Sequence, residues 1–419
     1  MIASRFTLLK AQRLFDGTGA PPAERHALLI AGGRIEAVGP DSEVRAPDHA
    51  DAEVIDYGDA TILPGLVDGH THMMAPGDGT LGDDVALDPD DVLLMRALAN
   101  ARTFLEAGVT TARENGAKNR VGFSLRDGIR RGLAQGPEMV VCGRPVTITG
   151  GHMWYCGSEA DGEEGGRAEV RRLVKEGADF IKIMATGGST RSSDALRPSY
   201  GLRELHAIVD EAHRANRLTA THCASVGGVE NSIAAGVDMV IHCAFVDETG
   251  IYRYRDDLAH QLARARAWVN PTLHIIQATI DRLERVGRER GWLTTDEQAA
   301  IDHEKARLEQ RIDTANRLAK LGVRMIAGSD SPWGSYPPGE FVKEIVALHR
   351  AGLSTTEALV TATSAAADSI AAGERAGRRA PRPPADVLVV GGDPLQDLDA
   401  LWDVRAVFKE GARVAGVAS

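Results

Sequence analysis

The sequence predicts an α/β protein, a (β/α)8 TIM barrel with a small β-sandwich domain built from both chain ends. From residue 62 to about 375, short apolar strands alternate with amphipathic helices, which is typical of a parallel, closed sheet. Several of the apolar runs end in a titratable residue, and the carboxyl ends of barrel strands are where such a fold places its chemistry. Both chain ends instead show strand–turn–strand patterns.

The two chain ends, residues 1–62 and 378–419, are predicted to form the small domain. Strand-like runs such as 6–11 and 385–390 are separated from their neighbours by Gly- and Asp-containing turns. Because isolated sheets of two or three strands are only marginally stable, we expect the ends to pair with each other. The Pro- and Arg-rich segment 378–384 is the predicted linker to the barrel.

The barrel itself is predicted over residues 63–377. Segments such as 90–107 and 201–216 carry apolar residues at helical spacing and lie between apolar strand-like runs. A stretch around 275–320 is longer and richer in Arg and Glu than one barrel helix requires. We expect it to be a helical insertion after the seventh strand, serving as a lid or an oligomer contact.

Composition narrows the classes of function and location. The chain has 419 residues, of which 43% are hydrophobic and 26% charged, and this is ordinary for a globular protein. A net charge of -11 disfavours nucleic acid and anionic membrane surfaces, both of which require basic patches. No apolar run approaches the roughly 20 residues that span a bilayer. We therefore expect a small-molecule substrate, with no nucleic acid and no membrane partner.

The cysteines and the N-terminal residues favour a cytoplasmic location. Four cysteines in so long a chain show no Cys-x-x-Cys spacing and do not form a disulfide framework. They are Cys142, Cys156, Cys223 and Cys243. Residues 1–6 lack the charged region and apolar core of a signal peptide, so no such peptide is predicted.

His70 and His72 form the first candidate metal-binding pair. They follow the apolar run 62–67, and alternate residues of a strand share a face, so both imidazoles would point the same way. Two neutral imidazoles on one face chelate a borderline metal such as zinc. Alone, a His-x-His pair is more often a solvated strand end, so the interpretation depends on further ligands.

Four further candidate ligands occupy strand-like runs downstream. Lys182 lies within an apolar run, while His222, His242 and Asp330 each end one. In a parallel barrel the carboxyl ends of all strands meet at one mouth, so these side chains would converge with the two histidines.

These six residues, in this order along the chain, resemble the metal-dependent amidohydrolase superfamily, in its prolidase-like and imidazolonepropionase-like branch. The resemblance implies two divalent metal ions, zinc by default, a carboxylated Lys182 that bridges them, and Asp330 as general base. It also implies a homo-oligomer and the same pairing of the chain ends. The function implied is hydrolysis of an amide-type C–N bond by a metal-bridging hydroxide.

Each ligand has a plainer alternative. Lys182 could be paired with a carboxylate; otherwise burial favours its neutral amine, which can add carbon dioxide and become a carbamate. Cys223 or Cys243 could replace the adjacent histidine, although alternation along a strand turns each neighbour to the opposite face. Asp330 could cap a turn. A single metal with a non-bridging Lys182 also remains open.

Four more residues are predicted to contact substrate. His152 follows Gly-Gly, which permits close backbone approach, and could polarise a substrate carbonyl as a second catalytic group; a surface loop histidine is the alternative. Tyr155 and Arg191 are candidates for stacking on the substrate or binding its carboxylate. Trp333 could form a pocket wall, for which Tyr336 is an additional candidate beyond these four.

The substrate class stays broad. Dipeptidases of the resembled branch carry a tyrosine two residues after the histidine matching His222, whereas this chain has Ala224. An N-acyl amino acid, dipeptide, carbamate, urea or aromatic amide therefore all remain candidates. The alternatives are a one-metal cyclic-amide hydrolase or deaminase of imidazolonepropionase type, and a non-catalytic scaffold protein.

Overall fold

A computed structural model of the chain describes residues 6–370 and 383–416. The linker expected over 378–384 and the N-terminal residues 1–5 lie largely or wholly outside that part. Two architectural units are present: a closed barrel of parallel strands surrounded by helices, and a β-sheet domain to which both chain ends contribute. The predicted fold class is thereby confirmed.

The β-sheet domain is a single eight-stranded sheet. Its strands are β1 (Phe6–Leu14), β2 (Ala23–Ala31), β3 (Arg34–Pro40), β4 (Ala52–Asp56), β5 (Ala60–Pro64), β13 (Val387–Gly391), β14 (Val404–Lys409) and β15 (Ala412–Ala415). Strand β13 pairs antiparallel with β5, and this pairing joins the two chain ends. Residues such as Leu9, Ile62, Val389 and Phe408 fill one core of the domain.

Seven strands and one closing segment form the barrel. The strands are β6 (Leu66–Thr71), β7 (Val109–Glu114), β8 (Glu138–Val141), β9 (Ile181–Met184), β10 (Thr219–His222), β11 (Met239–Ile241) and β12 (Trp268–Asn270). All pairings within β6–β8 and within β9–β12 are parallel. The segment 325–331 closes the circle, because Met325 pairs with Val269 of β12 and Ser331 with Thr71 of β6.

Helices surround the barrel and follow its strands. They are α1 (Gly82–Val85), α2 (Asp90–Glu106), α3 (Val121–Arg130), α4 (Gly162–Glu176), α5 (Leu202–Arg214), α6 (Val226–Ala235), α7 (Asp256–Ala265), α8 (His274–Arg290), α9 (Thr295–Lys320), α10 (Val342–Arg350), α11 (Thr355–Thr361) and α12 (Ser364–Ser369). The stretch after the seventh strand consists of α8 and α9. They are separated at Gly291, whose φ of 86° favours a residue without a side chain.

Two hydrophobic layers separate the inside of the barrel from its outside. Ile181, Ile183 and Val240 belong to the layer between strands and helices, while Met239 and Ile241 alternate with them and pack inside the barrel. Alternation therefore sends Lys182 and His222 inwards. Among the described residues, no helix is both long and apolar enough to cross a lipid bilayer.

Candidate metal centre and substrate cavity

The six predicted ligands all lie at one mouth of the barrel. They line a single cavity of about 810 Å³. Each is at least nine-tenths buried, with His222 the most exposed at 9% and His70 and Lys182 at 1%. So many ionisable side chains in one buried site require compensating partners.

His70, His72 and Asp330 form the first cluster. The two histidine Nε2 atoms are 3.3 Å apart, and each lies 3.3 Å from Asp330 Oδ1. Their Nδ1 atoms have fixed partners, the Gly116 carbonyl for His72 and the Asn270 side-chain oxygen for His70, both at 3.1 Å.

These partners determine the histidine tautomers. A carbonyl only accepts hydrogen bonds, so each Nδ1 donates its proton and each neutral imidazole is left with a bare Nε2. The Asn270 amide is itself oriented, because its nitrogen donates to Gly328 O at 3.1 Å. Three acceptor atoms therefore converge without a proton between them, and this is the donor set that a divalent cation prefers.

His222 and His242 form a second cluster with a different orientation. His242 Nδ1 lies 2.6 Å from Thr272 Oγ1, whose own proton goes to the Pro271 carbonyl at 2.7 Å, so the imidazole donates. His222 uses Nε2 to donate to Gly187 O at 3.1 Å. His242 Nε2 and His222 Nδ1, 2.9 Å apart, are then both bare.

Burial keeps these imidazoles neutral. Desolvation lowers the pKa of His70, His222 and His242 well below its ordinary value, and the Lys182 ammonium lowers it further in all three. Neutral imidazole is the form that binds metal.

The charge of Lys182 acts on both clusters, because it lowers the pKa of His70 in the first and of His242 in the second. Burial lowers its pKa to about 8, an effect that the Asp330 carboxylate partly opposes. No hydrogen bond or ion pair reaches its Nζ from the described part of the chain. The carboxylate partner considered as the alternative is therefore absent among those residues, and about a tenth of the amine is unprotonated at pH 7.

The backbone at two ligands is in a conformation that non-glycine residues seldom adopt. His242 and the following Cys243 have φ of 66° and 51°, and Asp330 has φ of 64°. Such strain persists only where surrounding contacts impose it, and it concentrates at functional sites. At His242 one such contact is a hydrogen bond from the Arg311 guanidinium to its carbonyl.

Asp68 supports the first cluster from behind. Its carboxylate accepts hydrogen bonds from the backbone N–H and hydroxyl of Ser329 at 2.9 and 2.6 Å, and from the His70 N–H at 3.1 Å. It thus ties β6 to the closing segment that carries Asp330. Burial raises its pKa to about 7.

Two of the four predicted substrate contacts line the cavity. The His152 ring centroid is 4.6 Å from that of His222, and its Nδ1 lies 2.8 Å from Thr190 Oγ1. Burial lowers its pKa to about 3, so the ring is neutral. Trp333 packs 4.9 Å from His72, centroid to centroid.

Tyr155 and Arg191 lie elsewhere. The Tyr155 ring lies behind the loop at Gly82, where an added Cβ would meet its hydroxyl. Arg191 is half exposed and holds Asp84 with two hydrogen bonds of 2.9 and 2.7 Å. Tyr336 is fully buried and its hydroxyl donates to Glu340 O instead of facing the cavity. These three residues are not part of the substrate site proposed below.

The sequence predicted an insertion that could act as a lid, but it indicated none of the insertion's residues as part of the cavity. His303, Arg307 and Arg311 of α9 line it, and so does Arg282 of α8. The signal was present: the three α9 residues recur every four positions and so share one helix face. Nothing in the sequence indicates which face of a charged helix turns towards a site. The four-residue spacing alone therefore does not predict that these side chains line the cavity.

A (β/α)8 barrel with buried imidazoles and a carboxylate at its mouth defines a metal-dependent hydrolase. The chain belongs to the Amidohydrolase family, whose model matches residues 61–414. It is therefore a hydrolase acting on C–N bonds, with His70, His72 and Asp330 as a metal site.

Three relatives illustrate the likeness. Ochratoxinase of Aspergillus niger is 24% identical over 96% of this chain and 85% of its own length. A Xaa-Pro dipeptidase with bound methionine superposes with a TM-score of 0.82 at 24% identity, covering 97% of this chain and 99% of that one. A prolidase in complex with N-methylphosphonate-L-proline superposes with a TM-score of 0.77 at 27% identity, with the same coverage.

Proposed function

We propose that the chain hydrolyses an amide-type C–N bond of a small molecule at a two-cation centre. The proposed ligands are His70, His72, Lys182, His222, His242 and Asp330. One observation carries the proposal: the unprotonated acceptors form two separate clusters, one of two imidazoles and a carboxylate, the other of two imidazoles. Lone pairs this close repel each other unless a cation lies between them.

Lys182 is the group that could join the clusters. As a free amine it offers one neutral ligand, whereas a carbamate offers two anionic oxygens. With a pKa of about 8, about half of its amine is unprotonated at pH 8, and this neutral form is competent to add carbon dioxide. Zinc is the proposed ion, because imidazole with carboxylate oxygen is a donor set it favours.

The protein residues around the cations have separate proposed roles. When bound, divalent cations supply an activated water and polarise the scissile carbonyl. Asp330 lies in the first cluster, where its carboxylate can accept a proton from that water and pass it to the leaving nitrogen. His152 lies on the side of His222, and its ring, held by Thr190, can donate to the substrate carbonyl from Nε2.

The proposed substrates are N-acyl amino acids, dipeptides and aromatic amides, with carbamates and ureas as further candidates. The names of the relatives, an ochratoxinase, a Xaa-Pro dipeptidase and a prolidase, support this range. The cavity of about 810 Å³ has room for a bulky acyl group, and Ala224 leaves open the space that a tyrosine would take. A cytoplasmic homo-oligomer is proposed on the resemblance and the cysteine pattern alone.

A one-cation hydrolase of cyclic amides, or a deaminase, is the second candidate. The observation favouring it is that His70, His72 and Asp330 form a three-ligand group without help from the other residues.

Metal content and a substrate screen distinguish the two. Purified protein loaded with zinc should contain about two ions per chain by elemental analysis and release amine from dipeptides or N-acyl amino acids. About one ion per chain, with activity only on cyclic amides or amino-heterocycles, would instead establish the second candidate.

A further inference from the structure

Arg311 is a buried cation in the wall of the metal cavity. Its side chain lies on α9, is only 7% exposed, and lines the cavity together with the six proposed ligands. Its Nη1 donates a hydrogen bond to the His242 carbonyl. A guanidinium removed from water is unfavourable unless an anion and further acceptors compensate it.

No compensating carboxylate contacts Arg311 within residues 6–370 and 383–416. The nearest cation on the same helix face, Arg307, has such a partner: its guanidinium is 3.0 Å from Glu304. Arg282, across the cavity, donates to Ser335 Oγ at 2.8 Å. Burial lowers the pKa of Arg311 to about 9, and Asp330 and Glu344 oppose this shift only as distant charges.

The remaining donors of Arg311 can therefore serve a ligand. A guanidinium has five N–H groups in a planar fork, and one contact with a backbone carbonyl leaves enough for a carboxylate bound through both oxygens. The same cavity is also lined by apolar side chains such as Phe245, Leu196 and Ile275. A molecule that satisfies both kinds of lining carries an anionic group for Arg311 and an apolar group for the apolar side chains.

We propose that Arg311 binds the carboxylate of the substrate, so that the enzyme selects N-acyl amino acids or dipeptides over carbamates, ureas and uncharged amides. The inference rests on the proposed C–N hydrolysis and deepens it. It also assigns a function to the insertion after the seventh strand: α9 supplies the residue that distinguishes a charged from a neutral leaving group. Ala224 fits this assignment, because the tyrosine of dipeptidase relatives is not available here.

A purely structural role for Arg311 makes a different prediction. If the guanidinium only holds the His242 carbonyl, its removal disturbs a metal ligand and lowers turnover of every substrate alike. If it binds a carboxylate, its removal affects only substrates that possess one. Two amides that differ in the carboxylate alone separate these roles.

The experiment compares N-benzoyl-L-phenylalanine with N-benzoylphenethylamine on zinc-loaded enzyme. Wild type should show a kcat/KM about 10- to 100-fold higher for the acid, the range expected of a hydrogen-bonded charge pair. Arg311→Met should reduce this preference by raising the KM for the acid, and Arg311→Lys should restore part of the preference. Arg317→Met is the matched control, because Arg317 of the same helix stacks on Tyr254 and pairs with Asp313.

Two results would overturn the inference: an equal loss for both substrates with reduced zinc content, or no preference for the acid in wild type. Calorimetric binding of N-benzoyl-L-phenylalanine tests Arg311 independently of turnover. Binding that depends on Arg311 without any hydrolysis would support the carboxylate site while contradicting the proposed function. Hydrolysis of both amides without such binding would support the proposed function while contradicting the carboxylate site.

Discussion

His242 Nε2 lies 2.9 Å from His222 Nδ1, and the other nitrogen of each ring already donates a hydrogen bond. Two lone pairs therefore point at each other inside the barrel. Protonating one ring would relieve the repulsion, but burial lowers the pKa of both imidazoles. A shared cation would satisfy both nitrogens, and this is the second cation of the proposed two-cation centre.

Replacing His242 with alanine should remove one of two bound metal ions. Loss of this imidazole leaves the second cluster with a single histidine, whereas the cluster of His70, His72 and Asp330 keeps its ligands. We expect zinc to fall from about two ions per chain to about one, measured by elemental analysis after dialysis. His213→Gln, which changes an exposed histidine paired with Asp238, is the control. Two ions retained in His242→Ala would remove this pair from the metal centre.

Asp330→Asn should reduce turnover far more than it reduces metal content. An amide oxygen can still ligate, but it cannot accept and pass on a proton, so the general-base contribution is lost. That contribution is about 100- to 10,000-fold in kcat. Zinc analysis and steady-state kinetics on the same preparation test this. Near-normal kcat would reject the general-base role, and complete loss of zinc would show that ligation dominates.

Reloading of the metal-free enzyme with zinc should depend on bicarbonate. The Lys182 pKa of about 8 leaves a reactive amine at neutral pH, and a carbamate is the form that supplies oxygen ligands. Zinc added in carbon dioxide-free buffer should restore less activity than zinc added with bicarbonate. Labelled bicarbonate and NMR detect the carbamate carbon, and Lys182→Met is the control that should lack the signal. Equal reloading in both buffers would contradict the carboxylated lysine.

The sequence predicted the convergence of the six proposed ligands better than it predicted the cavity around them. His70 and His72 are predictable from the sequence because strand alternation fixes their common face. Lys182 is predictable because a lone lysine buried in an apolar strand needs either a partner or a neutral amine. Their partners on other strands followed from the geometry of a parallel barrel, in which all carboxyl ends meet.

Loop and helix-face residues could not be placed in this way. Arg191 and Arg311 are both arginines in polar segments, yet the first is tied to Asp84 at the surface and the second is buried beside His242. The path of the loops and the rotation of α9 decide between these outcomes. Both depend on tertiary contacts that no local pattern of residues encodes.

The stability contribution of His152 should depend on pH. Burial lowers its pKa from 6.5 to about 3, so the folded protein binds fewer protons than the unfolded chain between those values. The contribution is therefore present above about pH 6.5 and is lost as the pH falls towards 3. Between about pH 7.5 and about pH 5, metal-free wild type should lose about 2 kcal/mol of unfolding free energy relative to His152→Gln.

Urea titrations of both proteins at the two pH values measure this difference. The exposed His206, exchanged for glutamine, gives the baseline. If the unfolding free energies of wild type and His152→Gln differ by the same amount at both pH values, the His152 ring is solvated in the folded protein.

Arg191→Ala should leave both catalysis and stability nearly unchanged. Its side chain is 57% exposed and its partner Asp84 is 43% exposed, so water and salt screen the ion pair and it contributes little to stability. Because the guanidinium is occupied by Asp84 and lies outside the cavity lining, kcat/KM for N-benzoyl-L-phenylalanine should stay within about twofold of wild type. Kinetics and thermal unfolding check both expectations. A loss of about 10-fold or more, confined to KM, would mean that Asp84 releases Arg191 when substrate binds, and that the loops carrying the two residues close over the cavity.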